Sequence, residues 1–457
     1  MKRFLFFLVL LLILCAAGAW IWAGRQPAPA ITINGPAAMG QHASIDVSID
    51  TPRGELSKLD VIFEQNGQQT SLASLGHLGA TTLKQEGPDR LRIAVPATRA
   101  ELPALKSGDA RILVHAERTL LRGLRTLASD QVRPVRVQLE PPVVSVISTH
   151  HYINLGGSEL VVLRVTPPDA TAGVRVGDHT YPAFPGSSVG IADPTVRVAV
   201  FALLYDQDLM TPIGVFASDV AGNLATAPLD YKPFPKAFRR SRIDVPDAFL
   251  QRVVPSILQN SPDFAREVAD PNDLVAAFLK INGDLRRRNS EEIASFAKQT
   301  VPQMLWHGPF QQLGNSQVEA AFADHRTYFY KDKEIDQQVH LGFDLAVTSS
   351  VAVVAANDGK VVHASSLGIY GNCVIIDHGL GVQSLYAHLS SFDIKVGDTV
   401  TKGQPIGRSG MTGLAGGDHL HFTMLVNGQA VNAVEWWDRK WMEDRVLRKI
   451  REAGGKG

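Results

Sequence analysis

The chain has 457 residues, too many for one ordinary core, and its composition (45% hydrophobic, 20% charged) is that of folded protein. Lys+Arg and Asp+Glu balance at 45 each, so nothing in the charge argues for a nucleic-acid partner. Of the two cysteines, Cys15 lies in an N-terminal apolar run, so a disulfide with Cys373 is not expected and the domains must be stable without one.

Lys2 and Arg3 precede an apolar run from Phe4 to Ala23, about the length a helix needs to cross a bilayer. Ala17-Gly18-Ala19 is a weak cleavage site, and Trp20, Ile21 and Trp22 prolong the run beyond it. Leu14 before Cys15 argues against lipoprotein processing. Residues 1–24 are therefore expected to be an uncleaved transmembrane anchor, with the positive residues inside and everything after Gly24 outside.

Residues 25–140 and 141–235 show short apolar/polar alternations broken by Gly, Pro and Asn, the pattern of half-buried strands. Ser44–Ile49, Leu91–Val95 and Arg111–His115 belong to the first stretch, Leu160–Val165 and Val196–Phe201 to the second. Each stretch has the size of one immunoglobulin-like β-sandwich. Ala217–Asn223 resembles a late-strand turn of bacterial immunoglobulin-like modules, which serve as spacers or bind protein partners. His150-His151 reads as a solvated pair in a loop.

Over residues 236–319 the period changes: Leu274, Phe278, Ile281 and Leu285 mark one helix face. Asn289 and Glu292 read as a capping box at a helix start, and Pro255 should interrupt or kink the helix around Phe249, Val253 and Ile257. This helical insert is expected to be a connector packed on the C-terminal domain, with a gate over a groove as the alternative.

Strands return from about Ala320, and residues 320–437 carry the informative histidines. In His419-Leu-His421 a strand would point both imidazoles to one face. In His340-Leu-Gly-Phe-Asp344 a loop entering a strand would bring an imidazole and a carboxylate together. Each motif is weak alone. Combined, they supply imidazole and carboxylate ligands suited to zinc with a position left open, the pattern of a catalytic rather than a structural site. An oxygen-rich calcium or magnesium site would not need these histidines.

Six blocks follow one another: His340–Asp344, Ala356–Val361, Tyr370–Asn372, Leu385–Leu389, Gly397–Gly407 and His419–Phe422. In this order they resemble the lysostaphin/LytM-type zinc endopeptidases over roughly the last quarter of the chain. The resemblance implies a small antiparallel β-domain with a narrow groove. It assigns Zn2+ to His340, Asp344 and His421, and makes His388 and His419 the catalytic histidines beside the metal. The naive reading, with both His419 and His421 on the metal, is thereby replaced. Two departures stand out: Asp418 where the family usually has Pro, and Thr423 where it often has an acidic residue. His378 is expected to be structural, His363 a surface or groove-wall residue, and residues 438–457 a docking helical tail.

The fold expected is thus mainly β and multidomain: a transmembrane helix, two immunoglobulin-like sandwiches, a helical insert and a C-terminal peptidase domain. The implied protein is a single-pass inner-membrane enzyme with its domains in the periplasm. Its implied substrate is the stem-peptide cross-links of peptidoglycan, the D-alanyl to meso-diaminopimelate bond in a diderm bacterium. Two other classes compete: a non-catalytic activator of another wall hydrolase, which the intact ligand set disfavours, and a carrier module, suggested by the Gly397–Gly407 turns but with no use for His340 and Asp344.

Overall fold

The computed structural model describes residues 2–35 and 37–456, and the fold is mainly β with one N-terminal apolar helix. That helix, Lys2–Gly24, exposes its large apolar side chains all round, as with Phe4 at 75%, Leu14 at 61% and Trp22 at 57%. It commits no face to a protein core; its length and composition suffice to cross a membrane, as do those of a signal sequence.

The chain divides into two compact units, Met1–Pro142 with Ser218–Ala225, and Val143–Ala217 with Thr226–Gly457. In the first unit, one sheet orders the strands Ala30–Asn34, His42–Asp50, Arg90–Thr98 and Thr82–Gln85. The other orders Ala38–Met39, Arg125–Val137, Gly108–Leu120, Lys58–Gln65 and Gln68–Ser74. Alternation decides which side chains turn inward: Ile45, Val47 and Ile49 from the first sheet meet Leu59, Val61, Ile112 and Val114 from the second in one core cluster.

In the second unit, Gly157–Thr166 runs between Val143–Val146 and Val196–Leu203. Its run Leu160-Val-Val-Leu163 does not alternate because both faces are covered, one of them by the helical tail. Lys449 in that tail is fully buried and its Nζ lies 2.7 Å from Glu159 Oε1, an ion pair with no solvent access. The nearby His pair differs from expectation. His150 is exposed, but His151 is only 2% exposed. Its ring nitrogens lie 2.8 Å from Ser148 Oγ and 2.9 Å from the Asp230 carbonyl. Burial pushes its pKa down to about 4, so it is a neutral core histidine.

The helices Asp247–Asn260 and Leu274–Lys280, with the wide turn Ile281–Leu285 that leads into the helix Arg286–Phe296, bury Val253, Val254, Ile257, Phe278, Ile281 and Leu285 against one another and against Tyr328 and Ile369. Pro255 does not end its helix: five flanking side chains, Leu250, Val253, Val254, Ile257 and Leu258, are buried, and that packing outweighs the roughly 3 kcal/mol a helical proline costs. Nor does a helix begin at Asn289. The helical course continues from Leu274 through a wide turn at Ile281–Leu285, and the buried Asn289 Oδ1 instead accepts from the Ile369 amide at 3.0 Å. The same region contains a strand that its charged sequence hid, Arg240–Asp244, parallel to Asp324–Tyr330.

The site is carried by a largely antiparallel sheet that orders Gln317–Ala320, Phe343–Ala346, His419–Val426, Val382–Leu389, Asn372–Gly379, Gly359–Ser366 and Thr399–Val400. His419–Val426 is central and buried along its whole length. His378 holds that sheet from within, its Nδ1 2.7 Å from the Asp358 carbonyl and its Nε2 2.7 Å from Ser384 Oγ. His363 is buried against Phe296, with ring centroids 5.0 Å apart.

Candidate metal centre and active site

His340 ends the strand Lys333–His340, the chain turns at Leu341-Gly342, and Asp344 lies in the next strand, directly across from His421. The turn needs glycine, since a Cβ on residue 342 would sit 2.5 Å from both His421 Nε2 and Thr423 Oγ1. Alternation along His419–Val426 sets His419 and His421 on one face. Leu420 and Phe422 take the other, where Phe422 packs against Tyr386 and Trp437 at ring distances of 5.3 and 5.6 Å.

His388 reaches this face by a different route. Alternation alone would send it to the side of Tyr386 and Phe422. The pairing register with Asn372–Gly379 slips where Ala387 and His388 together oppose Cys373, and His388 takes a left-handed backbone with φ of 63°. The bulge turns the imidazole over, and its ring lies 4.9 Å from that of His419 and 5.7 Å from that of His421. Left-handed backbone at a non-glycine residue is costly and is kept where the site requires it.

His340 Nε2, Asp344 Oδ1 and His421 Nδ1 converge, each 2.9–3.0 Å from the other two. His419 Nε2 stands 3.5 Å from Asp344 Oδ1. The far nitrogen of every histidine is tied to a neutral acceptor: His340 Nδ1 to the Ala321 carbonyl at 3.2 Å, His388 Nδ1 to that of Thr412 at 2.8 Å, and His419 Nδ1 to that of Gly417 at 2.9 Å. His421 Nε2 lies 3.1 Å from Thr423 Oγ1, whose own proton goes to the Leu341 carbonyl at 2.9 Å. In the neutral imidazoles each far nitrogen thus carries the proton and each near nitrogen keeps the lone pair a metal would take; without a metal, a second proton on a near nitrogen is donated to Asp344 instead.

The charges are arranged around Asp344. Burial would push its carboxyl up, but the charge and hydrogen bond of His340, with hydrogen bonds from His419 and His421, outweigh that and hold it well below its usual range. Its other oxygen, Oδ2, accepts from Arg326 Nη2 at 2.8 Å. Burial pushes His421 down to about 4 and holds His388 well below the ordinary imidazole value, in the second case aided by His419 and His421. His419 moves up: burial opposes this, but the bond to Asp344 prevails. Two imidazole nitrogens and one carboxylate oxygen within 4.8 Å of one another form a donor set of the kind that holds zinc with a position left open.

A cavity of about 450 Å3 opens over the centre, lined by Tyr370, His388, His419 and His421 and also by Arg239, Ser241, Phe249 and Arg286. The helical region thus forms a wall of the cavity and leaves space within it. All five residues singled out by sequence lie together here. Arg326 and Thr412 were missed. They act through pairing and packing between distant segments and leave no spacing signal; only the register of Asp324–Tyr330 on Lys333–His340 brings Arg326 to the site.

Residues 338–433 match the family model described as peptidase family M23. The C-terminal region is an M23 peptidase domain. A DD-carboxypeptidase/endopeptidase, Mpg, of Neisseria meningitidis is 43% identical to this chain over 97 residues, 21% of the chain and 22% of that protein. A peptidoglycan DD-endopeptidase, ShyA, of Vibrio cholerae is 41% identical over 96 residues, again 21% and 22%. The match thus spans about a fifth of the length of these relatives and lies in the M23 domain. A solved structure of a putative M23 peptidase from Pseudomonas aeruginosa aligns with 62% of this chain and 94% of its own, at 17% identity and a TM-score of 0.38.

Both departures from the family pattern have local work in this M23 domain. Asp418 Oδ2 accepts from Ser349 Oγ at 3.2 Å and from the Ser350 amide at 3.1 Å, tethering the loop beside His419. Thr423 orients His421 by accepting the proton of its Nε2.

Proposed function

We propose that this chain is a membrane-anchored zinc metalloendopeptidase that hydrolyses peptide cross-links of peptidoglycan, at the D-alanyl to meso-diaminopimelate bond. The observation that carries the reading is the convergence of His340 Nε2, Asp344 Oδ1 and His421 Nδ1, with His388 and His419 beside them, inside an M23 domain. His340, Asp344 and His421 hold the ion. When bound, zinc supplies a Lewis acid for the scissile carbonyl and for the attacking water.

The remaining steps belong to the chain. His388 and His419, with Nδ1 anchored on carbonyls, present Nε2 to the substrate, where an imidazole takes a proton from water and returns it to the leaving amine. The imidazole not taking the proton donates to the oxyanion. Arg326 holds Asp344 Oδ2 and so keeps Oδ1 on the metal side. The bond cleaved is inferred from the peptidoglycan-directed names of the relatives. The N-terminal helix anchors the chain in the inner membrane and places the domains in the periplasm, and the β-sandwich regions serve as spacer or as a surface for a protein partner.

The test is digestion of purified peptidoglycan by the full chain in detergent, with muropeptides separated by chromatography. Conversion of cross-linked dimers to monomers, lost in His421→Ala, supports the reading. Intact dimers despite bound zinc overturn it.

A further inference from the structure

Arg286, Arg287 and Arg288 follow one another at the start of the helix Arg286–Phe296, and the last two are paired with acids. Arg287 Nη1 lies 2.9 Å from Glu291 Oε1, and Arg288 Nη2 lies 2.5 Å from Glu267 Oε2. Arg286 turns inward and lines the cavity shared by His340, Tyr370, His388 and His421. Its Nε donates to the Asn282 carbonyl at 3.0 Å, and its Nη2 bonds Asn282 Oδ1. Asn282 is itself fully buried and held by Asp336 Oδ2 at 2.7 Å.

One edge of the Arg286 guanidinium is therefore fixed by neutral oxygens alone. Among the described residues no carboxylate lies within ion-pair distance of it, and its Nη1 has no partner. A half-buried cation with a rigid anchor and no direct ion-pair partner is arranged to receive an anion, and the planar fork matches a carboxylate. Of the other cavity arginines two are ion-paired, and the third, Arg239, is unpaired among the described residues but exposed where Arg286 is half-buried. Arg326 serves Asp344 and Asp324, and Arg242 serves Asp244 and Asp332. Arg239 donates to the Glu319 carbonyl at 3.2 Å, and Glu319 also lines the cavity.

We infer that Arg286 is a specificity residue that binds a carboxylate of the substrate peptide next to the scissile bond. The inference rests on the proposed function and deepens it. In a D-alanyl to meso-diaminopimelate cross-link, the carbon bearing the scissile nitrogen also bears a free carboxylate, so the charge sits beside the reacting amide. Arg286 lies outside the residues 338–433 matched by the family model, so it would adapt a common catalytic centre to an acidic cross-link.

The experiment uses the full chain in detergent, loaded with zinc, and two cross-linked peptides. They are identical except that the residue donating the scissile amine bears a carboxylate in one and a carboxamide in the other. Wild type should prefer the carboxylate by about 10- to 100-fold in kcat/KM, the scale of one charge-assisted fork. Arg286→Gln should bring that ratio close to one with zinc content unchanged, Arg286→Lys should fall between, and Arg287→Gln should keep the wild-type ratio. No preference in wild type, or a ratio unchanged by Arg286→Gln, overturns the inference. Should wild type cleave neither peptide, the proposed function fails, and calorimetric binding of the same two peptides decides this point separately. A binding preference lost in Arg286→Gln upholds the role of Arg286, and equal binding of the two peptides by wild type overturns it.

Discussion

Asp344 and His421 face each other across the antiparallel strands Phe343–Ala346 and His419–Val426, with Asp344 Oδ1 3.0 Å from His421 Nδ1. Nδ1 is turned to Asp344 because the opposite nitrogen, Nε2, gives its proton to Thr423 Oγ1. Thr423→Val keeps the shape of residue 423 and removes that acceptor. It should weaken metal binding about 10- to 100-fold, as loss of a partner behind a ligand does, whereas Thr423→Ser should keep it. Chelator competition on the purified chain measures this, and equal affinity in Thr423→Val would show that Thr423 has no part in holding the metal.

The tail's attachment rests on the buried pair Lys449–Glu159. Glu159 Oε2 also accepts from the Tyr152 amide at 3.0 Å, and Lys449 Nζ also donates to the Leu160 carbonyl at 2.9 Å. Lys449→Met leaves a carboxylate with no counter-charge inside protein. It should cost about 3–5 kcal/mol in denaturant unfolding, the penalty for breaking a buried pair. A loss below about 1 kcal/mol is what a solvated pair would give and would contradict the burial.

Glu435 makes the second unit sensitive to pH. Its carboxylate is buried and accepts from Asn154 Nδ2 at 2.7 Å and the Ser158 amide at 2.8 Å. Burial outweighs these bonds and pushes its pKa from 4.5 to about 7. A folded value above the unfolded one means the folded state holds the proton longer. The contribution is fully present below 4.5, declines as pH rises and is gone past about 7. The melting temperature of wild type relative to Glu435→Gln should therefore fall across that window and level off above it. A difference that rises or stays constant would show that Glu435 is charged in the fold.

The ligand-bearing motifs were legible because they are local. His340 and Asp344 flank one turn, and His419 and His421 one pleat, so each motif could bring its pair to one centre, while the choice of His421 over His419 as ligand came from the family resemblance. His388 was legible only through the family's block order, since its place depends on a bulge opposite Cys373 that reverses the direction alternation predicts. Arg240–Asp244 was invisible as a strand because it is an edge with charged residues on its exposed side. Asn289 carries the right residue type for a cap, but its side chain is used by Ile369, 80 residues away in sequence. Tertiary contacts of that kind leave no trace in local pattern.

The proposed chemistry depends on a division of labour: His340, Asp344 and His421 hold zinc, while His388 moves protons without holding it. Metal content and muropeptide turnover, measured on the same preparations of wild type, His388→Ala and His421→Ala, separate the two roles. His388→Ala should keep its zinc and lose turnover by about 100-fold or more, the scale of a lost general acid–base group, while His421→Ala should lose both. Loss of zinc in His388→Ala, or turnover retained in His421→Ala, would contradict that division.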